Sequence, residues 1–127
     1  MREFVPFDEE TIEQEFEALE VSSPDDLAKL EWIMDHFENV PKKEKPSPAM
    51  IKKLDDELYE IRHENGRYKG RLLFYNASEP KNTEDLVILS VFRKETQKTP
   101  PGEISKALKR MKQDQKRREE DAKGKSK

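Results

Sequence analysis

The dipeptide Asn65-Gly66 restricts the fold more than any other feature, because it separates two runs of apolar and basic residues at 58–62 and 68–75. Asn-Gly readily adopts the two positive φ angles of a type I′ turn, so the pattern predicts a β-hairpin with a two-residue loop. Such a turn places Glu60 opposite Arg71. Because side chains alternate between the two faces of a strand, one face is predicted to carry Glu60, Arg62, Lys69 and Arg71, and the other Tyr59, Ile61, His63, Tyr68 and Leu72.

The charged face of this hairpin has two interpretations. An antiparallel sheet often exposes one face to water, and a cross-strand ion pair between Glu60 and Arg71 then has no chemical task. Alternatively, the face binds a polyanion, because three cations on it oppose one carboxylate and Arg93-Lys94 end the next strand. Positive charge that is only partly neutralised favours the second interpretation.

The composition predicts one folded domain with a small core. The chain has 127 residues and a mass of 15.0 kDa, and 32% of it is hydrophobic whereas 42% is charged. The net charge of −3 is small and the aromatic residues lie in periodic segments, which favours folding over disorder. We expect a domain over residues 1–112 and a basic polar extension at 113–127 that is either helical or disordered.

Several kinds of site and location are disfavoured. Cysteine is absent and there are only two histidines, so neither a disulfide scaffold nor a zinc site is expected. No metal or other cofactor is predicted. No apolar run approaches the roughly 20 residues that a membrane-spanning helix needs, and residues 1–10 do not resemble a signal peptide. We therefore expect a cytoplasmic protein without a membrane partner.

Charge is distributed unevenly along the chain. Residues 1–40 contain 13 acidic and 2 basic residues (net −11), residues 41–101 contain 10 and 13 (+3), and residues 102–127 contain 5 and 10 (+5). Phosphate contacts supply most of the non-specific affinity for nucleic acids. We therefore expect the N-terminal third to face away from any nucleic acid, and the hairpin and C-terminal segment to face toward it.

The N-terminal third is predicted to form a short strand and two helices. Residues 3–7 alternate weakly and contain Pro6, which is tolerated at a sheet edge. Asp8 is a suitable N-cap for a helix that ends near Val21, and Ser23-Pro24 is a suitable start for a second helix. A linker rich in proline and lysine follows at 40–48, and the ambiguous segment 50–57 is interpreted as one helical turn before the hairpin.

After the hairpin, the sequence predicts a strand and a last helix. Residues 86–92 form a continuous apolar run that is typical of a strand buried on both faces, and we predict that this is the central strand. Thr99-Pro100 starts a helix whose apolar stripe ends at Met111. The predicted fold class is a small α+β domain, in which an antiparallel sheet carries two N-terminal helices and one C-terminal helix.

Six segments in the C-terminal half form a recognisable pattern: Leu58-Tyr59-Glu60-Ile61-Arg62, Tyr68 with Arg71-Leu72-Leu73-Phe74-Tyr75, Val87-Ile88-Leu89, Phe92-Arg93-Lys94, Thr96-Gln97-Lys98-Thr99-Pro100 and Glu103-Ile104. Together they resemble the RelE/ParE superfamily of bacterial toxins, specifically the HigB-type and phage-derived members found in type II toxin–antitoxin modules. The N-terminal half is similar only in the order of its elements. The chain departs from the family pattern at Lys69, Ser90 and Glu95, where relatives usually carry arginine, histidine and a second lysine.

The resemblance implies a RelE-like fold and a ribosome-associated endoribonuclease that cuts messenger RNA without a metal ion. Such toxins inhibit translation and are restrained by a helix-turn-helix antitoxin. By position, Arg62 and Arg71 would hold the scissile phosphate, and Lys94 would stabilise transition-state charge or transfer a proton; arginine forks suit the charge that develops on a phosphate under attack by the ribose 2′-hydroxyl. The predicted RNA-binding residues, with base stacking assigned to an aromatic side chain, are Lys69, Tyr75, Phe92, Arg93 and Lys98.

Two other functions stay open. The chain could be a catalytically degenerate, phage-derived relative that binds a protein partner through its sheet or its basic helix. It could also inhibit gyrase, which the ParE branch of the superfamily implies and for which the sequence offers no independent support. Expression of the chain separates these functions, because only the first predicts cut transcripts.

Overall fold

The fold is described by a computed structural model that covers residues 3–39, 50–55, 57–63, 67–77, 84–94 and 100–125. The elements along the chain are β1 (Glu3–Pro6), α1 (Glu9–Ser22), α2 (Pro24–Asn39), β2 (Ile51–Lys53), β3 (Tyr59–Ile61), β4 (Gly70–Asn76), β5 (Asp85–Arg93) and α3 (Pro101–Lys125). The predicted class, a small α+β domain with two N-terminal helices and one C-terminal helix, is confirmed. The predicted linker at 40–48 lies outside the described residues.

The five strands form one mixed sheet in the order β1-β5-β4-β3-β2. Strands β2 to β5 pair antiparallel, as predicted, but β1 pairs parallel to β5, with Phe4 beside Leu86. Strand β4 is therefore the central strand, and the prediction that residues 86–92 occupy the centre is wrong by one position. Strand β5 is still buried on both faces, because an apolar cluster lies on each face of the sheet there. Its two edges pair with β1 and β4.

The β3–β4 hairpin keeps the predicted faces but has a different register. Glu60 lies opposite Leu73, whereas a two-residue loop would place it opposite Arg71. The shift is two residues, and because side chains alternate with a period of two, the described residues of the two strands stay on their predicted faces. The predicted Asn65-Gly66 turn lies outside the described residues.

Residues 51–53 form an edge strand, so the prediction of a helical turn at 50–57 is wrong. Lys52 lies opposite Glu60, and the N–H of Arg62 donates to the carbonyl of Met50 at 2.8 Å. This pairing gives hydrogen-bond partners to backbone groups of β3 that would otherwise lie at the sheet edge. The sequence of residues 50–57 alone does not show that β3 needs such a partner.

The sheet separates two apolar clusters. One cluster lies between the sheet and the helices α1 and α2, and it includes Ile33 and Phe74. The other lies between the sheet and α3, and it includes Leu89 and Met111. We call these two sides the α1–α2 face and the α3 face.

Polar contacts fix the start of both N-terminal helices. Asp8, the predicted N-cap of α1, accepts a hydrogen bond from the N–H of Thr11 at 2.9 Å. At the start of α2, Asp26 accepts hydrogen bonds from the Ser23 hydroxyl at 2.6 Å and from the N–H of Lys69 at 2.9 Å. The second bond ties α2 to the start of β4. Gly70 permits this close approach, because a Cβ at that position would lie 3.2 Å from the Cβ of Asp26.

Helix α3 continues without a break beyond its predicted apolar stripe. Asp114 is 1% exposed and accepts a hydrogen bond from the hydroxyl of Tyr75 at 2.5 Å. It also accepts charge-assisted hydrogen bonds from Arg117 at 2.6 Å and Arg118 at 2.7 Å. Residues 113–125 are part of α3, and the buried carboxylate of Asp114 docks them on the sheet. The predicted division between a domain over residues 1–112 and an extension stays a prediction. Neither α3 nor any other helix of the described residues is both long and apolar enough to cross a membrane.

Two charged side chains cap the part of β5 that β1 does not reach. Strand β1 ends at Pro6. Beyond that point, Glu15 of α1 accepts a hydrogen bond from the N–H of Val91 at 2.8 Å, and Arg110 of α3 donates to the carbonyl of Leu89 at 2.9 Å. Glu15 and Arg110 also form an ion pair at 2.6 Å. The pair therefore satisfies backbone groups at the sheet edge and links α1 to α3.

We expect Glu15→Ala to lower the free energy of unfolding by about 2 kcal/mol, because it removes the acceptor of the Val91 N–H and the carboxylate that Arg110 contacts. The matched control is Glu17→Ala, which lies at an exposed position of the same helix and should change the free energy by less than about 0.5 kcal/mol. Urea unfolding followed by circular dichroism measures both. Equal losses in the two variants would show that capping of the β5 edge contributes nothing measurable.

Candidate functional site

A group of charged side chains lies on the α3 face, at the end of the sheet where β4 begins and β5 ends. We call this group the cation cluster, and its members are Glu60, Arg62, Arg71 and Lys94. Arg71 lies opposite Phe92, and Lys94 directly follows β5, where its N–H donates to the carbonyl of Lys69 at 2.7 Å. Two-residue alternation along β3, β4 and β5 brings the members to one face.

Backbone oxygens and one carboxylate hold Arg71 in place. Its Nη1 donates hydrogen bonds to the carbonyls of Tyr68 at 3.1 Å and Gly70 at 2.8 Å. Its Nε lies 4.0 Å from Oε1 of Glu60, which is an ion-pair distance but too long for a hydrogen bond. Because Arg71 is 8% exposed and Glu60 is 0% exposed, this pair forms the buried base of the cation cluster.

Lys94 shares the electrostatic environment of this pair. It is 8% exposed, and burial is the main cause that lowers its pKa, whereas the carboxylate of Glu60 opposes that shift. Repulsion by three neighbouring cations lowers the pKa of Lys94 further; these cations are Arg71, Lys52 and Arg62. A lysine in such surroundings gives up its proton more readily than a solvated one.

Burial also lowers the pKa of Arg71, the charge of Glu60 opposes this, and the charge of Arg62 adds to it. The guanidinium nevertheless stays protonated, because its ordinary pKa lies far above neutral pH. One carboxylate therefore stands among several cations, and the surplus positive charge acts in surroundings less polar than water, where charge acts more strongly. Chemically, the cation cluster can attract and orient an anion such as a phosphodiester.

The three predicted catalytic residues thus lie together on one face, but they differ in burial. Arg62 directly follows β3 and is half-buried, whereas Arg71 and Lys94 are buried. An approaching anion would therefore meet Arg62 before the other two. The catalytic roles of all three residues stay predictions.

Two of the predicted RNA-binding residues lie close to the cluster. Lys69 is exposed, and its backbone carbonyl accepts a hydrogen bond from the backbone N–H of Lys94. Phe92 is half-buried, lies opposite Arg71 and packs against the apolar cluster beneath α3. Lys98, a third predicted contact, lies outside the described residues.

The other two predicted RNA-binding residues occupy positions that do not fit the prediction. Tyr75 is 2% exposed and its hydroxyl bonds to Asp114, so the ring offers no free face to a base. Arg93 lies on the α1–α2 face, with its Nε 3.4 Å from Oδ2 of Asp26. The reason is strand alternation, because neighbouring residues such as Arg93 and Lys94 project to opposite faces.

Sequence reasoning missed Lys52 as a contributor to this site. It lies directly opposite Glu60 in the β2–β3 ladder and adds positive charge near Lys94. The signal was the placement of a lysine pair just before the hairpin, which becomes informative only when residues 51–53 are treated as a strand. The departure at Ser90 is also explained by position, because its hydroxyl is buried and donates to Glu103 of α3 at 2.9 Å.

Among the described residues, no three side chains of His, Asp or Glu lie close enough together to hold a metal ion.

Comparison with known proteins shows which family model covers the candidate site. The family model described as phage derived protein Gp49-like (DUF891) matches residues 14–112, a range that includes the whole cation cluster and ends within α3. No curated protein is similar enough to the chain to count as a match.

Proposed function

The chain belongs to the Gp49-like family of phage-derived proteins, which is part of the RelE/ParE-like toxin superfamily, and we propose that it is a HigB-type toxin that cleaves messenger RNA on the ribosome. The family is associated with toxin–antitoxin modules. The observation that carries the endoribonuclease proposal is the placement of Arg62, Arg71 and Lys94 on one face around a single carboxylate. We further propose that the protein acts in the cytoplasm and is restrained by a helix-turn-helix antitoxin.

In the proposed reaction, the ribose 2′-oxygen attacks the adjacent phosphorus and the bond from phosphorus to the 5′-oxygen breaks. The 2′-hydroxyl loses a proton and the 5′-oxygen gains one, so the products are a 2′,3′-cyclic phosphate and a 5′-hydroxyl. Negative charge increases on the non-bridging phosphate oxygens in the transition state. Preorganised cations aimed at those oxygens lower the barrier without any metal ion.

The burial of each residue suggests its part in this reaction. Arg62 is half-buried and would contact the phosphate through its planar fork. Arg71 is held by two backbone carbonyls and would supply fixed positive charge from beneath. Lys94, whose pKa is lowered by burial, would stabilise the developing charge or donate the proton that the 5′-oxygen gains.

The proposal predicts that expression of the wild-type chain inhibits growth, and that a transcript is cut in a reconstituted translation system but not when ribosomes are left out. The 5′ ends should carry hydroxyl groups and the 3′ ends cyclic phosphate, which enzymatic end-labelling identifies. Metal-dependent hydrolysis would instead leave a 5′-phosphate and a 3′-hydroxyl. Intact transcripts, or ends of the second kind, would contradict the proposal.

A second candidate function is a catalytically degenerate toxin-like protein that binds a protein partner. The observation in its favour is the burial of Arg71 and Lys94, which are each only 8% exposed and could serve the fold alone. This function predicts harmless expression and uncut transcripts, together with a stable complex with a protein partner bound through the sheet or the basic helix. Growth and transcript cleavage on expression are the measurements that separate the two functions.

A further inference from the structure

A groove of about 480 Å³ runs along α1 on the side of the molecule opposite to the cation cluster. Its floor is apolar and consists of Ile12, Phe16 and Ile88. Its rim carries four exposed glutamates from α1, which are Glu9, Glu13, Glu17 and Glu20. The groove therefore combines an apolar surface with a line of negative charge.

The glutamate line has no structural partner within the described parts of the chain. The ion pairs of α1 there involve only Glu15, which lies on another side of the helix and bonds to Arg110. Like charges spaced three or four residues apart on a helix repel one another. Glutamates near a helix C-terminus also oppose the helix dipole, and the last turn of α1 contains no basic residue that would offset Glu20. The repulsion between these glutamates and the charge of Glu20 at the helix C-terminus therefore destabilise α1 in the isolated chain.

We propose that this groove binds a cationic amphipathic helix from another protein. Lysine or arginine residues spaced three or four apart on the partner would match the glutamate line, and an adjacent apolar stripe would cover the floor of the groove. The glutamates extend over about 16 Å, so about three helical turns of the partner are enough to reach all of them. Such a partner removes both the like-charge repulsion and the unfavourable charge at the helix end.

The chemistry of the groove disfavours other occupants. A nucleic acid would be repelled by the glutamates. A second copy of the chain could offer the exposed lysines of α3, which are Lys109, Lys112 and Lys116. The described part of α3, however, exposes no large apolar side chain to fill the floor. The groove also lies on the α1–α2 face, so its partner and an anion at the cation cluster can bind at the same time. This inference does not depend on the proposed nuclease activity.

The test uses a designed peptide of about 18 residues, or roughly five helical turns, with lysine and leucine on adjoining stripes and a fluorescent label. Fluorescence anisotropy with the full chain gives its affinity. We expect the double variant Glu13→Gln/Glu17→Gln to weaken binding about tenfold, as loss of two exposed charge pairs would. The matched control is Glu119→Gln/Glu120→Gln, which removes the same charge from exposed positions of α3 and should bind the peptide like the wild type.

Two further peptides test the apolar floor and the spacing. A peptide with serine in place of leucine keeps every charge and should bind more weakly, and a scrambled peptide of the same composition should do the same. Equal binding of all three peptides, or equal losses in the two double variants, would overturn the proposal, because attraction would then be non-specific. A wild-type dimer that dissociates in Glu13→Gln/Glu17→Gln, measured by light scattering, would also overturn it by identifying a second copy as the occupant.

Discussion

Replacing Arg62 with alanine is expected to slow RNA cleavage by about 10²–10³-fold, the usual loss when one preorganised charge-stabilising donor is removed. Growth inhibition should disappear with it. Arg62 is half-buried and directly follows β3, so the substitution removes the guanidinium that a phosphate reaches first and leaves the buried pair of Glu60 and Arg71 in place. Cleavage of a translated transcript under single-turnover conditions measures the rate, and urea unfolding should show nearly unchanged stability.

Two controls make the Arg62 result specific. Arg62→Lys keeps the charge but loses the planar fork, so it should retain part of the activity. Lys116→Ala removes an exposed positive charge from the distant half of α3 and should cleave at the wild-type rate. Wild-type cleavage by Arg62→Ala would contradict a role for Arg62 at the phosphate. Arg71→Ala is a poorer test, because it removes the buried guanidinium that lies against the buried carboxylate of Glu60 and should destabilise the fold as well.

Asp114→Ala is expected to lower the free energy of unfolding by about 3 kcal/mol, because it leaves the buried hydroxyl of Tyr75 without its acceptor and removes a carboxylate that Arg118 contacts. The second half of α3 should then bind the sheet less tightly. Urea unfolding gives the global loss, and amide hydrogen exchange along α3 shows where protection is lost.

The matched control for this variant is Asp121→Ala, which makes the same substitution at an exposed position of the same helix and should be nearly neutral. Tyr75 provides a second readout, because burial and the hydrogen bond to Asp114 raise the pKa of its phenol above the ordinary value of 10.0. A raised pKa in the folded state stabilises the fold below that ordinary value, and this contribution is lost as the pH rises through the folded-state pKa. Asp114→Ala should therefore let Tyr75 ionise at lower pH and make the alkaline loss of stability smaller. Similar unfolding and similar tyrosine titration in the two variants would show that Asp114 does not dock α3.

The helices α1 and α2 were predictable because their signals are local. Asp8 and Ser23 mark both starts, and each acts through residues three positions away, which is a distance that a helical turn sets by itself. The faces of the hairpin were predictable for a similar reason, because strand alternation has a period of two. The two-residue error in its register left Glu60 and Arg71 on one face.

The pairings made by the rest of the chain were not predictable from local signals. The parallel placement of β1 beside β5 joins residues more than 80 positions apart, and the edge strand β2 forms because β3 needs a partner on its open side. These pairings moved the centre of the sheet to β4. They also brought Lys52 beside Glu60, which no property of residues 51–53 alone indicates.

Burial within the candidate site was also decided by packing. A tyrosine in a strand can stack on a base or fill a core, and Tyr75 fills the core because Asp114 of α3, 39 residues away, accepts a hydrogen bond from its hydroxyl. Arg71 is basic in any context, but its burial depends on β3, β5 and the carbonyls of Tyr68 and Gly70. Only the folded chain shows that Arg62 is more accessible than the other two predicted catalytic residues.

By itself, the sequence determined the element types in the helices and the main strands, the α+β class, the grouping of basic residues on one face and the family resemblance. These properties follow from caps, alternation and motif, which act over a few residues. The tertiary structure alone decided the strand order, the register and the burial of each charge. Those depend on contacts between distant segments, and the free energy of such contacts is set by packing and desolvation that appear only when the segments meet.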